Sequence, residues 1–320
     1  MSENLQGTLS EGAVPAGQTT PQPRRRMSAL QKREALTGWL FLTPSAIAFL
    51  IFTVFAVVVA FWLGFQEWDL LSPPKFVGLE NYRKALTGDP NFRRTLYNTF
   101  YFAVGLVPLI VATSLGLAVA VNRQLKGISF FRAALYMPTV TSTVAISIVW
   151  IWLYNPSFGL INWLLGSLGV ANPPHWLENT LWAKPAMIAM TVWQECGYYM
   201  IIFLAGLQTI PDHLYEAADM DGASGWQKFW RITLPLLSPT TFLVTVMKTI
   251  YSFQIFEQVY VMTMGKPAGT TETIVYFICM NGFQWFKMGY AAAAAWVLFV
   301  IIFSLTLIQF RFQKNWVHYE

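Results

Sequence analysis

From Gly38 to Phe65 the chain carries no charged side chain, and the same is true of Tyr97–Val121, Ala134–Tyr154 and Met288–Phe310. A helix rises about 1.5 Å per residue and a bilayer's hydrocarbon takes about 20 apolar residues to cross, so each of these blocks is long enough. Two further blocks qualify: Pro185–Leu207, which holds one acid, Glu195, and Leu236–Met262, which holds Lys248 and Glu257. Unpaired backbone groups are too costly in lipid for anything but helices or a closed barrel, and the short alternating strands of a barrel are not seen. The chain therefore reads as an all-α membrane protein with six transmembrane helices. Charged residues make up 12% of it, against roughly 25% in soluble domains, which argues against a soluble fold.

Lysine and arginine favour the cytoplasmic ends of spans. With the amino terminus inside, the inner segments hold Arg24, Arg25, Arg26, Lys32, Arg33, Arg123, Lys126, Arg132, Lys228, Arg231, Arg311 and Lys314, against eight outside. Both termini then lie in the cytoplasm. The net charge of +5 is accounted for by these loops and calls for no nucleic acid. Two cysteines, Cys196 and Cys279, are too few for a disulfide framework or a metal site.

Residues 1–27 are rich in Gly, Gln, Thr, Pro and Ser, so 1–36 reads as a disordered cytoplasmic tail ending in a basic juxtamembrane segment. The six-helix domain covers 37–313, and 314–320 is a cytoplasmic C-terminal tail. The first apolar block is too long for a cleaved signal and is taken as the first span. The loop Gln66–Leu96 holds a candidate short helix at Leu79–Leu86. The loop Asn155–Lys184, with Trp163, Trp176 and Trp182, suits the headgroup level. Pro44, Pro108 and Pro138 sit in spans as candidate kinks.

Between the fourth and fifth blocks lies the loop 208–235, which contains Asp212, Glu216, Asp219 and Asp221. Pro211 suits a first helical turn, Leu214 with Ala217 and Ala218 makes a narrow apolar stripe, and Gly222 suits a left-handed helix end. Trp226, Phe229 and Trp230 continue at helical spacing beyond it. An interfacial helix on an anionic leaflet is expected to be basic, whereas this one is acidic with a centre of small residues, which points to a protein partner.

"EAADMDGASGWQKFWRITLPLL" resembles the EAA loop of bacterial ATP-binding-cassette importer permeases, with Glu216-Ala217-Ala218, Asp221-Gly222-Ala223 and Ile232-Thr233-Leu234-Pro235 in the matching places. "FVGLENYRKAL", "RTLYNTFYF", "LKGISFFRAALYMPTV" and "YVMTMGKPAGTTET" narrow the resemblance to the carbohydrate-uptake branch, similar to maltose and glycerol-phosphate permeases. The last segment departs from the branch's usual Thr-x-Gly-Gly-Pro at Thr263-Met264-Gly265-Lys266-Pro267.

The resemblance implies a type I importer permease fold in the bacterial inner membrane, which would pair with a second, similar permease and with two ATPase subunits. An extracytoplasmic solute-binding protein would deliver a carbohydrate. ATP and Mg2+ would be used by the ATPases and no cofactor by this chain, which lacks a G-x-x-x-x-G-K-[ST] loop. Glu216, Ala217, Ala218, Asp219, Asp221, Gly222, Ala223, Leu234 and Pro235 would form the coupling surface. Trp193, Gln194, Glu195, Tyr198, Tyr199, Lys248, Phe253, Gln254 and Phe256 are the residues available for a sugar pathway, or else simply pack between helices. Glu195 and Lys248 each lie roughly 15–20 Å from the inner ends of their spans and are expected to pair. A rival reading uses that pair for ion coupling in a secondary transporter. A membrane-embedded enzyme is the other rival, and no nucleophile or metal cluster supports it.

Overall fold

A computed structural model describes residues 28–123 and 126–314. Of the expected tail 1–36, residues 1–27 lie outside the described residues, as do 315–320 of the expected C-terminal tail 314–320, and helix already begins at Ala29. The described residues divide into two compact units, those up to Val57 and those from Val58 onward. In the first, α1 (Ala29–Phe49) runs through Pro44 and continues into a π-helical turn at Leu50–Val54. Leu42, Phe49 and Phe52 are among its many exposed apolar side chains. α2 (Phe55–Leu63) follows, and the helical stretch Lys32–Leu63 is long and apolar enough to cross a membrane.

In the second unit, β1 (Gln66–Glu67) pairs antiparallel with β2 (Lys75–Phe76), Gln66 opposite Phe76. α3 (Glu80–Arg83) leads through a π turn to α4 (Pro90–Val121), which starts where Asp89 accepts hydrogen bonds from the amides of Asn91 and Phe92. α5 (Ile128–Val140) and α6 (Thr143–Leu153) meet at 97°, and α7 (Leu160–Ser167) lies in the following loop. α8 (Ala183–Leu207) is followed by α9 (Asp212–Met220), α10 (Gly225–Lys228) and α11 (Leu234–Leu236). α12 (Ser238–Ser252), α13 (Glu257–Met262) and α14 (Ile274–Cys279) precede the terminal α15 (Met288–Gln313).

Among the described residues four helices can each cross a membrane, Lys32–Leu63, α4, α8 and α15, or five if the bent α5–α6 pair counts as one. The expected spans Ala134–Tyr154 and Leu236–Met262 are therefore not continuous helices. Pro138 removes a donor near the end of α5, and Ser142 then adopts an extended ψ of 130°. In the other break Phe253 and Ile255 are buried while Gln254 between them is exposed. Neighbouring helical side chains point only about 100° apart, so this in–out–in order requires a departure from the helix.

α4 and α8 form the most extensive pairing. Phe102, Leu106 and Ile110 recur every fourth residue on α4, and Met187, Met190, Met200 and Phe203 of α8 join them in the core. A second cluster gathers Phe92, Phe253, Ile274, Phe277, Tyr290 and Leu298. α5 approaches α8 at Gly197, where an added Cβ would strike the Leu135 backbone. The same contact is locked on either side of the bend: Thr139 Oγ1 donates to the Gln194 carbonyl at 2.9 Å, and Gln194 Nε2 to Thr143 Oγ1 at 3.1 Å.

Gly197→Ala should thus force α5 off α8, at a cost of about 1–3 kcal/mol. Gly116→Ala, where a Cβ meets nothing within 4 Å, should leave stability unchanged or slightly raised. Melting temperatures of the purified permease in detergent, compared between the two variants, check this. Equal melting temperatures would show that the close approach is not needed.

Candidate functional site

Two places gather the residues singled out in the sequence. One is the loop between α8 and α12. Its first helix, α9, begins after Pro211, which sits at the N-cap in an extended conformation, one position ahead of the expected first turn. Leu214 and Tyr215 turn inward and pack against the main core, while Ala217 is exposed. The inward stripe is therefore the half-buried Leu214, Tyr215 and Ala218, which with Pro211 fall at the i, i+3, i+4 and i+7 positions of one amphipathic face, whereas Ala217 lies off it.

α9 ends at Gly222, whose φ is +74°. The Ala223 amide donates to the Ala218 carbonyl at 2.9 Å and the Gly222 amide to the Asp219 carbonyl at 3.1 Å, the two bonds of a Schellman cap. No atom lies within 4 Å of where a Gly222 Cβ would stand, so glycine is needed here for its backbone alone. Ser224 opens α10 with a capping box: its hydroxyl accepts from the Gln227 amide, and Gln227 Oε1 accepts from the Ser224 amide.

Three contacts hold this pair of helices in place. Lys228 Nζ lies 2.6 Å from Asp219 Oδ1, and the Tyr215 and Thr233 hydroxyls are 2.9 Å apart. Leu234 packs on the core, and its amide donates to the Phe229 carbonyl five residues back. That π turn opens the ladder just ahead of Pro235, whose ring would otherwise crowd the Arg231 carbonyl. Asp219, though exposed, is thus engaged by Lys228, whereas Glu216, Asp221 and Met220, the last 89% exposed, form the free outer face. Met220 and the Asp219–Lys228 and Tyr215–Thr233 contacts were not singled out from sequence. The i, i+3 spacing to Ala218 would have found Tyr215, but nothing local marks Lys228 as the partner of Asp219.

The second place is a cleft of about 420 Å³. From the expected pathway set it brings together Glu195, Tyr198, Tyr199, Gln254 and Phe256, and adds Thr139, Tyr251, Glu257 and Gln258. Lys248 is 1% exposed beneath it, with Nζ 2.6 Å from Glu195 Oε2. Trp193 lies elsewhere, on a larger apolar groove between α4 and α8 beside Tyr97 and Tyr101. Gln194 is buried in the α5–α6 lock, and Phe253 packs edge-on against Phe100 at 5.0 Å. Tyr251 is one helical turn from Lys248, so its placement follows from spacing; Glu257 and Gln258 reach the cleft only because the helix breaks before them.

The turn after α13 is held by its own threonines. Thr263 and Thr271 hydroxyls are 2.8 Å apart, and Thr271 donates to the Lys266 carbonyl. Asn98 of α4 donates to the Gly269 and Glu272 carbonyls, and Arg94 pairs with Glu272 at 2.9 Å.

Residues 39–318 match the family described as "Binding-protein-dependent transport system inner membrane component". The chain is 38% identical over 292 residues to the probable ABC transporter permease protein YesP of Bacillus subtilis, covering 90% of this chain and 94% of the relative. It is 35% identical over 288 residues to the trehalose/maltose transport system permease protein MalF of Thermococcus litoralis, covering 89% and 96%. In structure it resembles a chain of the bacterial alginate ABC transporter in complex with an alginate pentasaccharide-bound periplasmic protein, with a TM-score of 0.79 and 24% identity, covering 89% of this chain and 96% of that one. That likeness carries the fold. Together, the apolar helices, the capped loop and these matches make this chain a member of the binding-protein-dependent inner-membrane component family, a multi-pass permease subunit of an ABC transporter rather than an enzyme.

Proposed function

We propose that this chain is the permease of an ATP-driven sugar importer, that it lines the pathway together with a second, similar permease, and that its loop 208–235 couples the pathway to ATPase subunits. Both termini then lie in the cytoplasm, and an extracytoplasmic binding protein delivers the sugar from the other side. ATP and Mg2+ act on the ATPases. The sugar follows from relatives such as the trehalose/maltose permease. The ion-coupled alternative has no similar support, since it gives no reason for the capped loop.

One observation carries the coupling reading: α9 is fixed from beneath by Leu214, Tyr215 and the Asp219–Lys228 pair, and it offers outward a face of Glu216, Ala217, Met220 and Asp221. A rigid helix with small and acidic residues outward suits a basic groove on another protein. Charge-assisted bonds from Glu216 and Asp221 supply direction, and Ala217 allows close approach. In the cleft, Tyr198, Tyr251 and Phe256 offer ring faces, and Gln254 and Gln258 offer amides for hydroxyls.

Gly222→Val should abolish uptake and co-purification of the ATPase while the permease still inserts, because Val resists positive φ; Gly222→Asn should retain most of both. Wild-type uptake in the Val variant would defeat the coupling role of the bend. Glu216→Lys or Asp221→Lys should weaken ATPase docking by about tenfold or more, as expected for a charge-assisted contact of roughly 1.5–3 kcal/mol. Asp219→Ala should cost far less, since its exposed pair is worth about 1 kcal/mol or below. Pull-down titrations with purified ATPase rank the three, and an Asp219 variant weaker than the Glu216 one would reverse the assignment.

For the buried pair, Lys248→Met should leave Glu195 without a partner and destabilise by up to about 3–5 kcal/mol, less whatever the cleft's solvent returns. Adding Glu195→Gln to Lys248→Met should recover most of that melting temperature. If the second change recovers nothing, the pair does not hold α12 on α8.

A further inference from the structure

The cleft between α8 and the α12–α13 break has a definite charge. Glu195 and Glu257 line it, and no lysine or arginine does. The nearest cation, Lys248, is 1% exposed, and its ammonium sits 2.6 Å from Glu195 Oε2, so it is already committed to that carboxylate beneath the cleft wall. Glu257 is exposed and, among the described residues, forms no ion pair. One carboxylate is balanced and one is not.

A concave site with protein walls focuses the field of such a charge. Phosphate and carboxylate groups are bound by Arg or Lys, or by several convergent N–H donors, and an anion entering a partly dry cleft without them is penalised. Sugar hydroxyls have no such need. They donate to a carboxylate or to an amide oxygen and accept from an amide N–H, and Gln254, Gln258 and Glu257 supply all three, with Tyr198 and Tyr251 for ring stacking.

We infer that this cleft passes uncharged saccharides and rejects sugar phosphates and uronates, with Glu257 setting the preference. The inference rests on the pathway reading above and adds the substrate class to it.

The experiment uses the assembled importer in nanodiscs, so that groups of its other subunits are counted. A single thiol is placed in the cleft by Gln254→Cys with Cys196→Ser and Cys279→Ser. Its modification rates by a cationic and an anionic methanethiosulfonate are measured and normalised to the same reagents reacting with free 2-mercaptoethanol. The expected result is a cationic rate about tenfold or more above the anionic one, falling toward parity when Glu257→Gln is added. A normalised ratio at or below one, or a ratio that Glu257→Gln does not move, overturns the inference.

Protection by added ligand separates this inference from its foundation. Maltotriose, raffinose or xylotriose should slow modification, and glycerol 3-phosphate and trigalacturonate should not. If the anions protect as well as the neutral sugars, the substrate class is wrong and the pathway reading stands. If none of the five protects, the pathway reading falls and takes the inference with it.

Discussion

A backbone group without a hydrogen-bond partner is nearly intolerable in hydrocarbon, so any break in a spanning helix must be repaired by neighbouring protein or open onto a cavity. Among the described residues α5 and α6 bend apart at Thr141–Ser142 and the helix breaks between α12 and α13 at Phe253–Phe256, and both places are held from outside their own helix. Gln194 ties the two sides of the first to α8 through side-chain hydroxyls, its carbonyl accepting from Thr139 Oγ1 and its Nε2 donating to Thr143 Oγ1. At the second, Thr273 Oγ1 donates to the Ile255 carbonyl at 2.7 Å and also caps α14. What is left over faces the cleft: Thr139 comes from beside one break, and Tyr251, Gln254, Phe256, Glu257 and Gln258 from in and around the other. The cleft is thus a product of the breaks.

This explains how much of the fold could be read from the sequence. Blocks whose apolar run has no internal conflict, such as Met288–Phe310, appear as uninterrupted helices because nothing competes with the ladder. The two blocks that broke have competing demands. In one, Pro138 removes a donor; in the other, Phe253 and Ile255 are drawn into two different core clusters. Hydropathy averages over such conflicts and so reads each as one long span. The pathway residues were the hardest to place, since their positions depend on the break: Gln194 is buried with its Nε2 bonded to Thr143 across the α5–α6 bend, away from the cleft lining.

The loop 208–235 was more legible because its structure is local. A Schellman cap needs glycine at one position and a capping box needs Ser and Gln three apart, and both signals are contiguous in "DGASGWQ". What could not be read was the choice among three acids. Periodicity put Glu216, Asp219 and Asp221 on the outer side together, but Lys228 arrives from the next helix, beyond the turn, and takes Asp219. A pairing across a bend depends on the bend angle, and no helical wheel contains that angle.

The loop and the cleft are also joined by the chain itself. α8 enters the loop at Leu207 and α12 leaves it at Ser238, and these two helices carry Glu195 and Lys248. Tyr215 of α9 is bonded to Thr233, four residues before Leu237, and an added Cβ at Gly206 of α8 would meet the side chains of Leu237 and Thr240. Under the proposed docking, a force on α9 therefore reaches α8 through backbone and α12 through the Thr233 contact and the π turn. A continuous, fully laddered helix at Phe229–Leu237 would carry such a force as a rigid rod. The π turn ahead of Pro235 interrupts that ladder, while Lys248 Nζ, 2.6 Å from Glu195 Oε2, ties α12 to α8 farther along. Glu195 also lines the cleft, so the contact that joins the two helices leaving the loop is itself part of the cleft wall.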